Sequence, residues 1–257
     1  MPNKLKIFSC LLLVLMLSGC VTIYNPATQR RESLFIDTKG EIALGKDLDK
    51  EIEGKLKILR DPQMQSRLDI IGLKVARSSD RQDVAYYFKI IQDKELNAFS
   101  IPGGFVYVNS ALMNKATDDE LSCVLAHEIG HIAAKHSVKR LQADLGYQLL
   151  VNIAMGISGQ YDMGRAMNVV FNLASLGYSR KDEFLADNLA VKYSYKAGFN
   201  PDGVVTFLEK LKQEQESKGS GFKLSFLSSH PDINERIKNA QQQIRQIKNA
   251  SDIPGNL

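Results

Sequence analysis

Residues 117–131 read Thr-Asp-Asp-Glu-Leu-Ser-Cys-Val-Leu-Ala-His-Glu-Ile-Gly-His, and the reading of this stretch decides the fold. Thr117 and Glu120 stand at capping-box spacing, with Asp118 and Asp119 in the first turn, so a helix starts here. Leu121, Val124, Leu125 and Ile132 then recur at helical spacing. On a helix, residues four apart share a face, so His127 and His131 can offer their imidazoles to one metal ion with Glu128 beside them. Two neutral nitrogen ligands and an adjacent carboxylate are the spacing of zinc hydrolases, where the carboxylate takes a proton from an activated water.

Two histidines do not complete such a site, because a catalytic zinc needs a third protein ligand and an open fourth position. The chain has four histidines: His127, His131, His136 and His230. His136, five residues past His131, lies about 140° around a continuous helix and is expected to be a solvated helix-end residue. Cys123 shares the face of His127 but stands about 12 Å of helix rise from His131, so it is expected to be a small buried apolar residue. Downstream, residues 179–187 read Ser-Arg-Lys-Asp-Glu-Phe-Leu-Ala-Asp. Ser179 is an N-cap and the helical pattern runs to Lys196 before Gly198 and Pro201. Glu183 is the expected third ligand, and Asp187, four residues on, is expected to orient a ligand histidine. Ala186 and Ala190 are small enough to let this helix approach the first one closely.

With these stretches in hand, the chain resembles metallopeptidase family forty-eight, which includes the CAAX-prenyl endopeptidases, HtpX-like proteases and a bacterial periplasmic lipoprotein branch. Four segments carry the resemblance: 97–104 (Asn-Ala-Phe-Ser-Ile-Pro-Gly-Gly), 117–136, 179–187 and 229–237 (Ser-His-Pro-Asp-Ile-Asn-Glu-Arg-Ile). It implies an α+β, zincin-type metallopeptidase domain holding one Zn2+ on His127, His131 and Glu183, with Glu128 catalytic. It further implies active-site roles for His230 and Arg236. Either could stabilise the oxyanion of the transition state. His230 could instead sit as a fourth ligand that plugs the resting site, the role preferred for it here. Pro231 biases it towards an extended conformation, after an irregular stretch over residues 218–229 that contains Gly219 and Gly221.

The remaining pattern reads as a small sheet beside a helical body. Helices are expected at 38–59, 62–78, 141–176, 179–196, 201–218 and 232–249, with Asp61-Pro62 as cap and first helical residue. Val84–Ile91 reads as a strand, and Ala98–Ile101 and Phe105–Val108 as a hairpin around residues 102–104. By the resemblance, Asn97, Ala98 and Phe99 lie on a sheet edge that binds an extended substrate through backbone hydrogen bonds. The uncharged runs 145–161 and 166–179 are read as core helices, since Asp162 and Arg165 interrupt them.

At the N-terminus, Lys4 and Lys6 precede the apolar run Ile7–Leu17, too short to span a bilayer and built like a signal peptide. Residues 17–20, Leu-Ser-Gly-Cys, resemble a bacterial lipobox, so Cys20 is the expected lipidation site. Residues 1–19 are then a signal peptide, 20–37 a lipid-anchored tether and lead-in, 38–250 the peptidase domain and 251–257 a tail. With Cys10 removed and Cys20 acylated, Cys123 has no disulfide partner. Val21, rather than Asp, follows the cysteine, which favours the periplasmic face of the outer membrane. The formal charge is +4 and loses two units with Lys4 and Lys6, which gives no reason to invoke nucleic acid. The expected partners are the membrane, through Cys20, and polypeptide substrates: unfolded or misassembled envelope proteins, which present extended strands. Oligomeric state is not legible. A reading from another class is a chaperone-like lipoprotein that binds outer-membrane proteins around a structural zinc.

Overall fold

The computed structural model describes residues 21–154, 164–169, 177–217 and 225–251. The architecture is α+β and mostly helical, as expected, with two small sheets. The lipobox, and parts of the uncharged runs and of the 218–229 stretch, lie outside the described residues.

The first departure is at the start. Residues 21–34, expected as tether, form a hairpin of β1 (Val21–Asn25) and β2 (Arg30–Leu34), with Gln29 in the left-handed region at the turn. The cluster Arg30, Arg31, Glu32 makes the segment look like a solvated linker. Yet Leu34 and Ile36 are buried, and Asn25 is buried too. Next comes α1 (Thr38–Lys55), capped by Asp37, which buries Leu44, Leu48 and Ile52 at four-residue spacing. It ends before residue 59 because Ile58 bridges to the sheet at Ile91. Asp61 caps α2 (Pro62–Arg77), accepting from the backbone N–H groups of Gln63 and Met64.

Three strands follow: β3 (Tyr87–Ile91), β4 (Ala98–Ile101) and β5 (Phe105–Asn109), in the order β3-β5-β4. β5 is parallel to β3 and antiparallel to β4. The β4–β5 turn is sterically forced. Gly104 has φ +98°, and a Cβ there would lie 2.0 Å from the carbonyl oxygen of Ala85. β4 is therefore an edge strand, with no strand on its outer side among the described residues.

After a short helix α3 (Ser110–Lys115) comes α4 (Asp118–Ala133), whose start is the Thr117–Glu120 capping box. α4 is buried on all sides from Glu120 to Ala133 and forms the middle of the molecule. Lys135 takes a left-handed conformation, φ +57°, and a new helix, α5 (His136–Ala154), starts immediately and kinks at Gly146. α6 (Arg180–Lys196) opens with a second capping box, Ser179 with Asp182. It packs against α4 more extensively than any other helix does. A Cβ on Gly130 would stand 3.2 Å from the carbonyl oxygen of Ala186, so the small residues set this approach as expected. α7 (Gly203–Ser217), the short α8 (Ser225–Ser229) and α9 (Ile233–Ser251) complete the body. α8 makes the end of the stretch expected as irregular helical. No helix of the described residues is long and apolar enough to cross a membrane.

The C-terminal carbonyls of α4 are capped by side chains from elsewhere. Arg81 donates to Ile132 O (2.8 Å), Asn25 to Ala133 O (3.1 Å) and Lys139 to Ala134 O (2.7 Å). Arg81 and Lys135 both converge on the carboxylate of Glu41, at 2.6–2.8 Å. All three side chains are at most 5% exposed. Burial opposes the charge on Glu41, but the two cations outweigh it and hold its carboxyl below the usual 4.5. Removing that charge strands two buried cations. Glu41→Gln is expected to cost about 3–5 kcal/mol in urea unfolding at pH 7. The depressed carboxyl contributes its full stability above 4.5 and loses it as pH falls through the lower folded value. The wild type should therefore lose stability below pH 4.5, and the gap to the variant should narrow there.

Candidate metal centre

Four side chains meet at the contact of α4, α6 and the residue that follows α8. His127 and His131, one turn apart on α4, bring their Nε2 atoms within 3.0 Å of each other. Glu183 on α6 places Oε2 3.5 Å from His127 Nε2 and Oε1 3.5 Å from His131 Nε2. His230 places Nδ1 3.0 Å from Glu183 Oε1 and 3.3 Å from His127 Nε2. One ligand atom from each of the four lies within 4.8 Å of all the others, and all four residues are buried. Four potential ligand atoms converge in a buried space, an arrangement that suits a cation. Its chemistry, imidazole nitrogens and one carboxylate, suits a borderline ion such as zinc.

Glu128 completes the picture. Its Oε2 accepts from the hydroxyl of Ser100 (2.9 Å), while its Oε1 is buried and has no hydrogen-bond partner among the described residues. A buried carboxylate oxygen without a partner is costly, and its cost marks a place where a proton or a polar substrate atom is to be met. Oε1 lies 3.6 Å from Nε2 of His230, at the rim of the same group.

The groups behind the ligands fix their orientation. Asp187, one turn along α6 from Glu183, places Oδ1 3.0 Å from His127 Nδ1. Arg236 on α9 grips Asp187 with two hydrogen bonds, from Nε (2.8 Å) and Nη2 (2.7 Å). Its Nη1 faces Glu183 Oε2 (3.2 Å) and donates to the carbonyl oxygen of His230 (3.1 Å). Burial opposes the charges on Glu183 and Asp187. The neighbouring His230 and the Arg236 guanidinium hold Glu183 well below the usual carboxylate range, and Arg236 does the same for Asp187. Burial pushes His131 down to about 3, which keeps its ring neutral, the form that ligates. Burial also opposes a charge on His127, but the Asp187 and Glu183 carboxylates hold that ring up at about 9. A divalent ion between the same carboxylates must displace that proton, so ion binding here releases protons.

His136 differs from its expected place. It is buried, 4% exposed, with Nδ1 2.8 Å from Nδ1 of His131. The estimate of 140° assumed one continuous helix, whereas the left-handed Lys135 redirects the chain and turns His136 back beneath His131. It remains outside the ligand group, behind His131. Cys123 is buried as expected, its Sγ against the carbonyl oxygens of Asn200 and Pro201, with burial pushing its thiol up to about 12.

On β4, Ala98 is buried and Phe99 is half-buried, stacked on Tyr107 at 4.9 Å. The side chain of Asn97 accepts from the backbone of Ala98, and its carbonyl accepts from Asn109 N–H. The contact with the cluster comes one residue later, from Ser100, which sequence reasoning missed. The pleat carried the signal, since Ala98 and Ser100 share one face. Tyr178 was missed as well. Its ring stacks on His131, centroids 4.0 Å apart, and its hydroxyl meets that of Ser137 at 2.7 Å. Nothing in its spacing announces that contact.

Comparison with known proteins agrees with this geometry. The chain is 30% identical over 181 residues to the metalloprotease LoiP of Escherichia coli (strain K12), covering 69% of each chain. It is 23% identical over 219 residues to the beta-barrel assembly-enhancing protease of the same organism, covering 81% of this chain but 44% of that one. It is 28% identical over 174 residues to the mitochondrial metalloendopeptidase OMA1 of Schizosaccharomyces pombe, covering 66% of this chain and 50% of that one. The chain thus spans about two thirds of the first of these relatives and about half of the other two. The profile of Peptidase family M48 matches residues 62–244, a span that holds every residue of the cluster, and the chain belongs to that family of metallopeptidases.

Proposed function

We propose that this chain is a zinc-dependent endopeptidase of a bacterial envelope, lipid-anchored at Cys20, which cleaves unfolded or misassembled envelope proteins. The observation that carries the reading is the Oε1 of Glu128, without a hydrogen-bond partner among the described residues, beside the ligand group of His127, His131, Glu183 and His230. Zinc held by His127, His131 and Glu183 would supply an activated water and polarise the scissile carbonyl. Glu128, oriented by Ser100, takes the proton from that water at Oε1 and delivers it to the leaving amine. The outer edge of β4, around Asn97, Ala98 and Phe99, offers backbone groups to an extended substrate. Arg236 has its donors engaged by Asp187, Glu183 and His230, which supports a positioning role for it over that of an oxyanion donor.

The position of His230 within the ligand group supports the resting plug: a ring that occupies the place the substrate carbonyl must take. The same closed set of four groups is also what a structural zinc would show, which keeps a chaperone-like binding lipoprotein as the second reading. The beta-barrel assembly-enhancing name of one relative is in keeping with either role among outer-membrane proteins. Residues 1–19 would be removed as a signal peptide, leaving the protein on the periplasmic face of the outer membrane.

Replacing His127, His131 or Glu183 by Ala should release zinc, measured by elemental analysis, and abolish cleavage of casein. Asp187→Asn should weaken zinc affinity by about 10–100-fold, and Cys123→Ala should leave it intact. Full zinc occupancy in Glu183→Ala would remove the third ligand from this assignment.

Glu128→Gln should keep zinc and lose cleavage. If the wild type cleaves nothing and Glu128→Gln still complements a deletion strain, the chaperone reading holds instead. His230→Ala should raise basal casein cleavage if the ring is a plug; a fall in kcat would assign it to the oxyanion.

Cys20→Ser should yield a protein that fractionates as soluble yet still cleaves in vitro. Purified wild type without acyl mass at Cys20 would refute the anchor.

A further inference from the structure

His131 turns its Nε2 towards the ligand group, so its Nδ1 must be settled by something else. That partner is Nδ1 of His136, at 2.8 Å. Nε2 of His136 lies 3.3 Å from Oδ1 of Asp182. The other carboxylate oxygen of Asp182 accepts from the Ser179 hydroxyl at 2.7 Å, within the capping box that starts α6. A chain of polar contacts thus runs from the cap of one metal-bearing helix to the ligand of the other.

The proton count along this chain has one consistent solution. Two ring nitrogens 2.8 Å apart hold a single proton between them. If His136 donated it, a neutral His131 would carry its own proton on Nε2. That proton would point at Nε2 of His127, 3.0 Å away, and would block coordination. His131 must therefore donate from Nδ1, and His136 accepts. A neutral His136 then carries its proton on Nε2, facing Asp182.

We propose that His136 is a positioning residue: with Asp182 it fixes the tautomer and ring plane of His131, as Asp187 does directly for His127. Tyr178 holds the ring from its stacked face. Asp182, Glu183 and Asp187 all belong to the first turns of α6. One helix thereby supplies a ligand and the orientation of both ligand histidines. The proposal rests on the metal assignment above but not on proteolysis.

The test uses the full chain and zinc alone. Zinc affinity is measured by competition with a chelating dye for wild type, His136→Leu and His136→Asn. The leucine variant removes the acceptor and is expected to bind zinc about 10–100-fold more weakly, whereas the amide oxygen of the asparagine variant stands where Nδ1 was and should recover most of the loss. Because a buried substitution can also impair folding, a second measurement needs no variant. With four histidines in the chain, long-range 1H–15N spectra of zinc-loaded, histidine-labelled wild type report each tautomer. The expected result is a proton on Nδ1 of His131 and on Nε2 of His136. A proton on Nδ1 of His136, wild-type zinc affinity in a folded His136→Leu, or an asparagine variant no better than the leucine one would each overturn the proposal. A lack of casein cleavage with these zinc results intact would count against the protease reading and not against this one.

Discussion

The close approach of α4 and α6 is the constraint on which the rest depends. Gly130 lacks a side chain, and Ala186 meets it with the least possible bulk, so the two helices come near enough for Glu183 to reach both histidines. Carboxylate–imidazole contacts of 3.5 Å tolerate little displacement, so an extra methyl at this seam would move the ligand geometry as well as the packing. The small residues here are thus as much a part of the metal centre as the ligands they separate.

Around that seam the protein holds an unusual density of buried charge. Asp187 and Glu183 are countered by one guanidinium, Arg236, which reaches in from α9 and touches both. At the C-terminus of α4, just past His131, Glu41 is countered by Arg81 and Lys135. The two clusters follow opposite logic. In the metal centre, imidazole nitrogens and carboxylate outnumber the protein's own cations, which leaves room for an ion. In the Glu41 cluster, two cations serve one carboxylate, and Arg81 also donates to the Ile132 carbonyl at the helix terminus.

What the sequence made legible were the features set by local chemistry. The Thr117–Glu120 capping box, the His127–His131 face and the Glu183–Asp187 face follow from residues three or four apart, the Ser179 cap from its place before the helical pattern, and the 102–104 turn from its glycines. The tertiary partners were less visible. His136 was misplaced because one residue, Lys135, leaves the helical region of φ/ψ, and no pattern in its neighbours requires that. The N-terminal hairpin was hidden because its charged outer positions resemble a solvated linker. Ser100 and Tyr178 reach the site through strand pairing and ring stacking between distant segments, which periodicity does not encode.

The N-terminal hairpin has a geometric consequence. Val21 opens β1, and four residues later the side chain of Asn25 is hydrogen-bonded to the end of the helix that carries His127 and His131. Were Cys20 acylated as proposed, the fold would start at the residue after the anchor and leave almost no leash. Each residue of loose linker would lengthen reach by about 3.5 Å, and with that anchor the allowance would be nearly absent. The metal centre would then ride at a fixed height above the bilayer. Which chains it cuts would be decided by what emerges at that height, a selection by altitude rather than by sequence.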